Sequence, residues 1–239
     1  MHRSIEKLLH GVVVSCQAYE DTPLYGAQYM KAMAQSAIMG NASGIRACWP
    51  QDIKAIRSIT DLPIVGINKK FGDGDPLDDI FITPTFASAC EIIEAGCDIV
   101  GIDCTVRPSR GVEELYTLLK RVKHTYPDIA IMADIATAEE GILAEKSGCV
   151  DILSSTLSGY TRQSLHLKSD GPNLSIIKEL KEKTNLPVNG EGRVWELSDL
   201  KALLDAGCDV VTIGTAITRP QLITKRFVDF NERYYHRYD

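Results

Sequence analysis

The sequence lacks closely spaced cysteine pairs. Its seven cysteines stand at positions 16, 48, 90, 97, 104, 149 and 208. With no C-x-x-C among them, neither a zinc site nor a disulfide framework is indicated, and a reducing, cytoplasmic compartment is expected. There is no apolar run of the roughly 18 residues a membrane helix needs, which excludes a spanning segment. The N-terminal stretch MHRSIEKLLHGVVVS carries no small-residue cleavage site, so no secretory signal is expected. Basic blocks are missing as well. With 26 Lys and Arg against 32 Asp and Glu, net charge is −6, and no aromatic–basic interleaving offsets it, so nucleic acid is not an expected partner. Histidine is scarce and scattered: His2, His10, His124, His166 and His236 fall near termini, in helical stretches or in loops. That argues against a histidine metal site and a histidine base, with His166 on a long loop the one left open, and no metal is expected. Finally, there is no Pro/Gly/Ser-rich linker and no low-complexity tract, which predicts one domain over residues 1–239.

What the chain does contain is an alternation. Short apolar runs at Val12–Ser15, Gly44–Ala47, Ile64–Ile67, Asp98–Ile102, Ile129–Ala133, Asp151–Ser154, Pro187–Val188 and Val210–Ile213 predict eight strands. Amphipathic stretches separate them; in one, Leu115, Leu118, Leu119, Val122 and Tyr126 trace a single helical face. Pro50, Pro84 and Pro220 mark first helical turns, and Thr137 with Glu140 forms a capping box. Strands apolar throughout imply burial on both faces, as in a parallel sheet covered by helices. Eight such units in 239 residues predict an α/β fold, a (β/α)8 TIM barrel of the phosphate-binding type, over a doubly wound open sheet. Internal echoes favour closure: TDLPIVGIN at residues 60–68 matches TNLPVNGEG at 184–192, and EAGCDIVGID at 94–103 matches DAGCDVVTIG at 205–214. Each echo lies four units on, as two half-barrels would require.

A barrel gathers its chemistry at the C-terminal ends of its strands. Taken in order, those ends supply Gln17, Arg46, Lys69, Asp103, Asp134, Glu191 and Arg219. Individually each has an ordinary explanation as a loop tie, a rim ion pair or a solvated face. Together they encircle one mouth. The loops after strands 7 and 8 often grip a phosphate through backbone N–H groups. Here they carry Gly190-Glu191-Gly192 and IGTAITRP, so Gly192, Gly214, Thr215 and Arg219 are candidate phosphate ligands, with Glu191 facing the ligand they admit.

VVVSCQA, GIRA, GINKK, FIT, MADIAT, TLSGYT, GEGR, AITRP and ITKRF follow one another through the whole chain, covering nearly every strand end. In these the sequence resembles the N-acetylmannosamine-6-phosphate 2-epimerase family of bacterial sialic-acid catabolism. The resemblance implies a phosphate-binding barrel that interconverts N-acetylmannosamine 6-phosphate and N-acetylglucosamine 6-phosphate at C2, without a metal or organic cofactor. It implies that Lys69 is the acid/base residue, that Glu191 and Asp103 share the catalytic work, and that Gln17, Arg46 and Arg219 hold the sugar and phosphate; Asp134, by its place at a strand end, is a further substrate-binding candidate. The chain departs from the family pattern at Asn68, in the acidic loop FGDGDPLDD after Lys70, and in NGEGR.

The chemistry asks for a base at a weakly acidic C–H beside the C1 aldehyde of the open-chain sugar, and for stabilisation of the enolate oxygen. A lysine base must be neutral, which Lys70 or Arg46 nearby would favour. Two other classes compete. One is a Schiff-base aldolase or synthase with Lys69 as nucleophile; the other is a non-catalytic sugar-phosphate sensor, which has no use for Lys69, Asp103 and Glu191. A metal-dependent pentose-phosphate 3-epimerase is disfavoured by the histidine placement. The aromatic C-terminal run Phe227, Phe230, Tyr234, Tyr235 and Tyr238 reads either as a homodimer interface or as a core-packed last barrel helix. The loop from Ser158 to Pro172 is a candidate lid.

Overall fold

The computed structural model describes residues 1–235; His236 and Tyr238 lie outside the described residues. Eight parallel strands close into a barrel in sequential order: β1 (Val12–Cys16), β2 (Gly44–Cys48), β3 (Ile64–Ile67), β4 (Ile99–Asp103), β5 (Ala130–Asp134), β6 (Ile152–Ser154), β7 (Val188–Glu191) and β8 (Val210–Ile213). β8 pairs back onto β1, with Val13 opposite Thr212. This is a TIM barrel. The helices are α1 (Arg3–Glu6), α2 (Ala27–Met39), α3 (Pro50–Arg57), α4 (Phe86–Glu94), α5 (Val112–Thr125), α6 (Ala138–Lys146), α7 (Leu174–Lys183), α8 (Leu197–Asp205), α9 (Thr215–Thr218) and α10 (Pro220–Tyr235), with a 3-10 helix at Arg162–Leu167. No helix among the described residues is long and apolar enough to cross a membrane.

Two apolar layers follow from the alternation of side chains along each strand. Val14, Ile45, Val100, Ile131, Leu153, Val188 and Val211 face outward and pack under the helices. Val13, Val65, Ile99, Ala130, Met132, Ile152 and Val210 form a separate inner cluster, which Ile5 and Leu8 from the α1 region join. The inner faces grow polar toward the strand C-termini: Val13 gives way to Ser15, Met132 to Asp134, Ile152 to Ser154 and Val210 to Thr212. This gradient, apolar below and polar above, puts the reactive groups at one mouth.

The helices follow their expected signals with two corrections. α5 buries Leu115, Leu118, Leu119 and Val122, each contributing about 1.5–3 kcal/mol of apolar burial; Tyr126 caps the helix instead of lying within it. Thr137 and Glu140 close the expected box, at 3.1 and 3.3 Å. Pro50 opens α3 and Pro220 opens α10. Pro84, by contrast, precedes the Thr85 cap of α4 and lies outside the helix. β7 also runs further than its apolar residues, because Asn189 and Glu191 turn inward to polar partners while Gly190 remains in the ladder with β8.

Candidate active site

The strand ends surround a cavity of about 540 Å³ whose walls include Gln17, Tyr19, Lys69, Thr156, Glu191, Gly192, Gly214, Thr215 and Arg219. Of the residues singled out in the sequence, the structure thus brings together Gln17, Lys69, Glu191, Gly192, Gly214, Thr215 and Arg219. It holds Arg46, Asp134 and Asp103 back from the cavity wall. Of the described histidines His2, His10, His124 and His166, none lines it.

Lys69 follows β3, and its Nζ donates to Tyr19 Oη at 2.7 Å. Its backbone carbonyl accepts from the Trp49 indole at 3.0 Å. Lys70 takes a different direction: its Nζ pairs with Glu91 on α4 at 3.0 Å, so it does not supply the neighbouring cation expected for Lys69. Asn68 points the same way, donating to Ser88 O and Glu91 Oε2 at 3.0 and 2.7 Å. Lys70 and Asn68 therefore fasten the rim to α4.

Below the cavity lies a buried charge cluster. Arg46, only 1% exposed, grips Asp134 with both terminal nitrogens, at 3.0 and 2.7 Å. Nη1 also stands 3.1 Å from Glu191 Oε2. Burial alone would lower the Arg46 pKa, but Asp134 and Glu191 more than reverse that and hold it charged. Burial raises the Glu191 pKa; Arg46 opposes the rise and Asp134 adds to it. A chain of hydrogen bonds feeds the same point. Thr212 donates to Asn189 Oδ1 at 2.9 Å, and Asn189 Nδ2 donates to Ser154 Oγ at 2.7 Å. Thr156 donates to Asp134 at 2.6 Å, so Ser154, 2.7 Å from the Thr156 hydroxyl, must be the donor between those two. The chain has one direction and ends on the carboxylate. Arg46 thus joins Asp134 to Glu191 beneath the cavity.

Asp103 lies in a separate network from the Arg46 cluster. Its carboxylate accepts from Thr105 N and Oγ1 at 3.0 and 2.6 Å and from Arg107 Nη2 at 3.1 Å, with Arg110 Nη2 at 3.7 Å. Arg107 in turn donates to the carbonyls of Pro76 and Asp79. Asp103 therefore anchors the acidic β3–α4 loop, and the structure does not place it beside Lys69 and Glu191.

The two glycines flanking Glu191 do different things. A side chain at Gly190 would meet Cys208 Sγ at 2.7 Å and Leu203 Cδ2 at 2.9 Å, so its absence lets α8 and its C-terminal turn pack on the strand. Gly192 has φ +111° and open space around it, and its freedom serves the turn into the cavity. Arg193 then reaches back across the mouth, donating to Gly171 O and Ser158 O at 2.8 Å each. The loop from Ser158 to Pro172 is also joined to the β3–α4 loop, through Arg162 with Asp75 at 2.7 Å and with Asp78.

Sequence reasoning missed Tyr19, Thr156, Asn189 and Thr212. The signal was available as period-two spacing: Tyr19 follows Gln17 by two residues, Thr156 follows Ser154 by two, and Asn189 precedes Glu191 by two.

Residues 30–232 match the family model described as "Putative N-acetylmannosamine-6-phosphate epimerase". A relative from Caldanaerobacter subterraneus subsp. tengcongensis, named "Putative N-acetylmannosamine-6-phosphate 2-epimerase", is 45% identical over 97% of this chain and 95% of its own length. One from Listeria monocytogenes bearing the same name is 41% identical, over 94% and 93% of the two chains. Among solved structures, the N-acetylmannosamine-6-phosphate 2-epimerase from Clostridium perfringens superposes with a TM-score of 0.86 at 38% identity, covering 96% of each chain. The thiamine phosphate pyrophosphorylase from Pyrococcus furiosus, with a TM-score of 0.57 at 18% identity over 88% of this chain and 87% of its own, shares the fold alone.

Proposed function

The chain belongs to the N-acetylmannosamine-6-phosphate 2-epimerase family and is an isomerase, and from that premise we propose how its residues perform the reaction. The substrate pair is N-acetylmannosamine 6-phosphate and N-acetylglucosamine 6-phosphate, interconverted in amino-sugar breakdown by removal and return of the C2 proton. The observation that carries this assignment is the convergence of Lys69 and Glu191 on one cavity that also holds Gly192, Gly214, Thr215 and Arg219. The latter four suit a phosphate: backbone N–H groups free to approach its oxygens and a guanidinium to match its charge. Gln17 suits a sugar hydroxyl or amide, since its Nε2 is already engaged with Ser15 and its Oε1 has no partner among the described residues.

With the phosphate fixed and the sugar ring open, the C2–H bond is weakened by the adjacent C1 aldehyde. Lys69 accepts that proton in its neutral form; a positioned base contributes about 10² to 10⁴ in rate. The electron pair moves into the C1–C2 bond and the charge develops on O1. Return of a proton to the other face of C2 gives the epimer. Glu191 takes the C1 hydroxyl proton as the C1–O5 bond breaks, passes it to the ring oxygen, and reverses both transfers when the ring closes. Its raised pKa brings its proton affinity nearer to working pH, while Arg46, itself held by Asp134, fixes its carboxyl from below. Asp103 acts at a distance, by holding the rim loop.

Family membership weighs against the Schiff-base and sensor alternatives. A phosphorylated sugar and seven unpaired cysteines suit a cytoplasmic setting. A homodimer is the second part of the proposal. No residue of α10 is buried, and Phe227, Val228, Phe230, Tyr234 and Tyr235 are exposed on a helix of 16 residues. Such an aromatic row suits a second copy of the chain; sedimentation of Phe227→Glu as a smaller species than the parent would support this, and an unchanged monomeric parent would remove it.

The reaction is tested by proton NMR in D₂O with N-acetylmannosamine 6-phosphate. Formation of the epimer with deuterium at C2, abolished in Lys69→Ala, is expected. Trapping of a covalent lysine adduct by borohydride would instead favour the Schiff-base route, and absence of turnover by a folded parent that binds the sugar phosphate would favour a sensor.

A further inference from the structure

Tyr19, in the loop after β1, lines the cavity and is the residue that its cations Lys69 and Arg219 share. Its hydroxyl oxygen lies 2.7 Å from Lys69 Nζ. The Lys69 ammonium and the Arg219 guanidinium each stand 5.2 Å from the centre of its ring. Trp49 meets the ring edge-on at 5.9 Å and 82°, and Phe71 packs against it at 6.1 Å and 56°. A phenol surrounded in this way has little freedom to rotate, and pre-orientation of a polar group is what makes it effective in a transition state.

The protonation logic assigns the direction of each hydrogen bond. Lys69 must keep its lone pair for the C2 proton, so toward Tyr19 it can only donate an N–H, which it can do both as amine and as ammonium. The Tyr19 oxygen therefore accepts in both states, and its own O–H remains to be directed elsewhere. Among the described residues Tyr19 Oη donates to no acceptor, and the residue lines the cavity. In the open-chain sugar the C1 oxygen lies on the carbon next to the one that loses its proton. A base and an enolate donor acting together must therefore be near neighbours, as Nζ and Oη are.

Resting on the proposed 2-epimerase reaction, we propose that Tyr19 is a catalytic residue whose hydroxyl donates a hydrogen bond to the C1 oxygen as that oxygen takes on enolate charge. The C2–H bond breaks and its proton goes to Lys69 Nζ. The C2–H pair forms the second C1–C2 bond, and the carbonyl pair moves onto O1. Tyr19 keeps its proton throughout, and reprotonation of C2 restores the carbonyl.

Tyr19→Phe removes the hydroxyl and keeps the ring between Lys69, Arg219, Trp49 and Phe71. Its kcat is expected to fall about 10²- to 10³-fold, as for loss of one oxyanion donor, with KM little changed, deuterium wash-in at C2 falling in step, and the melting temperature kept. Substitution of Tyr19 by 3-fluorotyrosine, which keeps the ring and the hydroxyl but changes its strength as a hydrogen-bond donor, is expected to change kcat while leaving KM and the melting temperature in place. A parent that epimerises while Tyr19→Phe loses less than about tenfold in kcat, or a fluorotyrosine kcat identical to the parent's, overturns the assignment and leaves the 2-epimerase reaction standing. A folded parent that neither turns over nor washes in deuterium overturns both.

Discussion

Asp103 and Asp134 stand directly opposite each other on β4 and β5, both fully buried, each at a strand's last residue and each beside arginine. Their arginines differ in origin. Arg46 comes from β2 and reaches the middle of the barrel, where the same guanidinium meets Glu191. Arg107 and Arg110 come from the loop after β4, and Arg107 carries on to the carbonyls of Pro76 and Asp79. One aspartate therefore fixes a cavity group and the other fixes a loop. The strand-end rule tells where polar groups gather, while the partner's position decides what each does.

The largest effect should come from removing the central carboxylate. Asp134→Ala leaves Arg46 buried with Glu191 as its remaining counter-charge, and breaking such a pair costs about 3–5 kcal/mol; chemical denaturation would measure it, and turnover should disappear with it. The gentler pair Asp134→Asn and Asp103→Asn sharpens the contrast. The first should lower kcat, because Glu191 is then drawn more strongly to Arg46, at a cost of about 1.5–3 kcal/mol for the charge-assisted bonds weakened. The second should lower the melting temperature and raise KM with kcat retained. Equal loss of kcat in both would erase the distinction drawn between them.

A third buried aspartate, Asp52 on α3, carries the comparison to a site where burial is the cause of the shift, its carboxyl being pushed from 3.8 up to about 6. A raised carboxylate favours the protonated folded state, so its contribution to stability is greatest below pH 3.8 and is lost as pH rises through about 6. Asp52→Asn should flatten that part of the stability curve and stabilise the protein at pH 7 by on the order of 1 kcal/mol, read from denaturation midpoints across pH. The smallest effect is expected at the exposed clasp between rim loops. Arg162→Ala should raise KM modestly and speed protease nicking near residues 71–79 without moving the melting temperature; nicking at the parent rate would mean that the clasp does not order the loop.

Much of the barrel was legible because its signals are local. Apolar runs at regular intervals, the face of α5 and the Thr137 box each depend on residues within a few positions of one another, and each appears where the pattern placed it. Lys69, Glu191, Gln17 and Arg219 were legible for the same reason, since a strand's end is a local feature and the barrel turns all such ends to one mouth. Asp103 was ranked with Glu191 because nothing in GIDCT announces that Arg107 and Arg110 will turn back onto it. Tyr19, Thr156 and Asn189 were passed over although two-residue spacing put them on informative faces. Gly190 and Gly192 looked alike in sequence, but one makes room for Cys208 and Leu203 and the other makes a turn.

α5 and α10 mark the boundary most clearly. Both are amphipathic in sequence, yet α5 buries four apolar residues and α10 none, with Phe227 72% exposed. The sequence alone determined the eight-unit alternation, the closed parallel sheet, the polar mouth and several of the residues that line it. Tertiary structure alone decided which aspartate serves the cavity, which phenol meets Lys69 and which helix face is left uncovered. Periodicity is a property of near neighbours and is written along the chain; the partner of a side chain lies across the barrel, tens of residues away, and is settled only when the sheet closes.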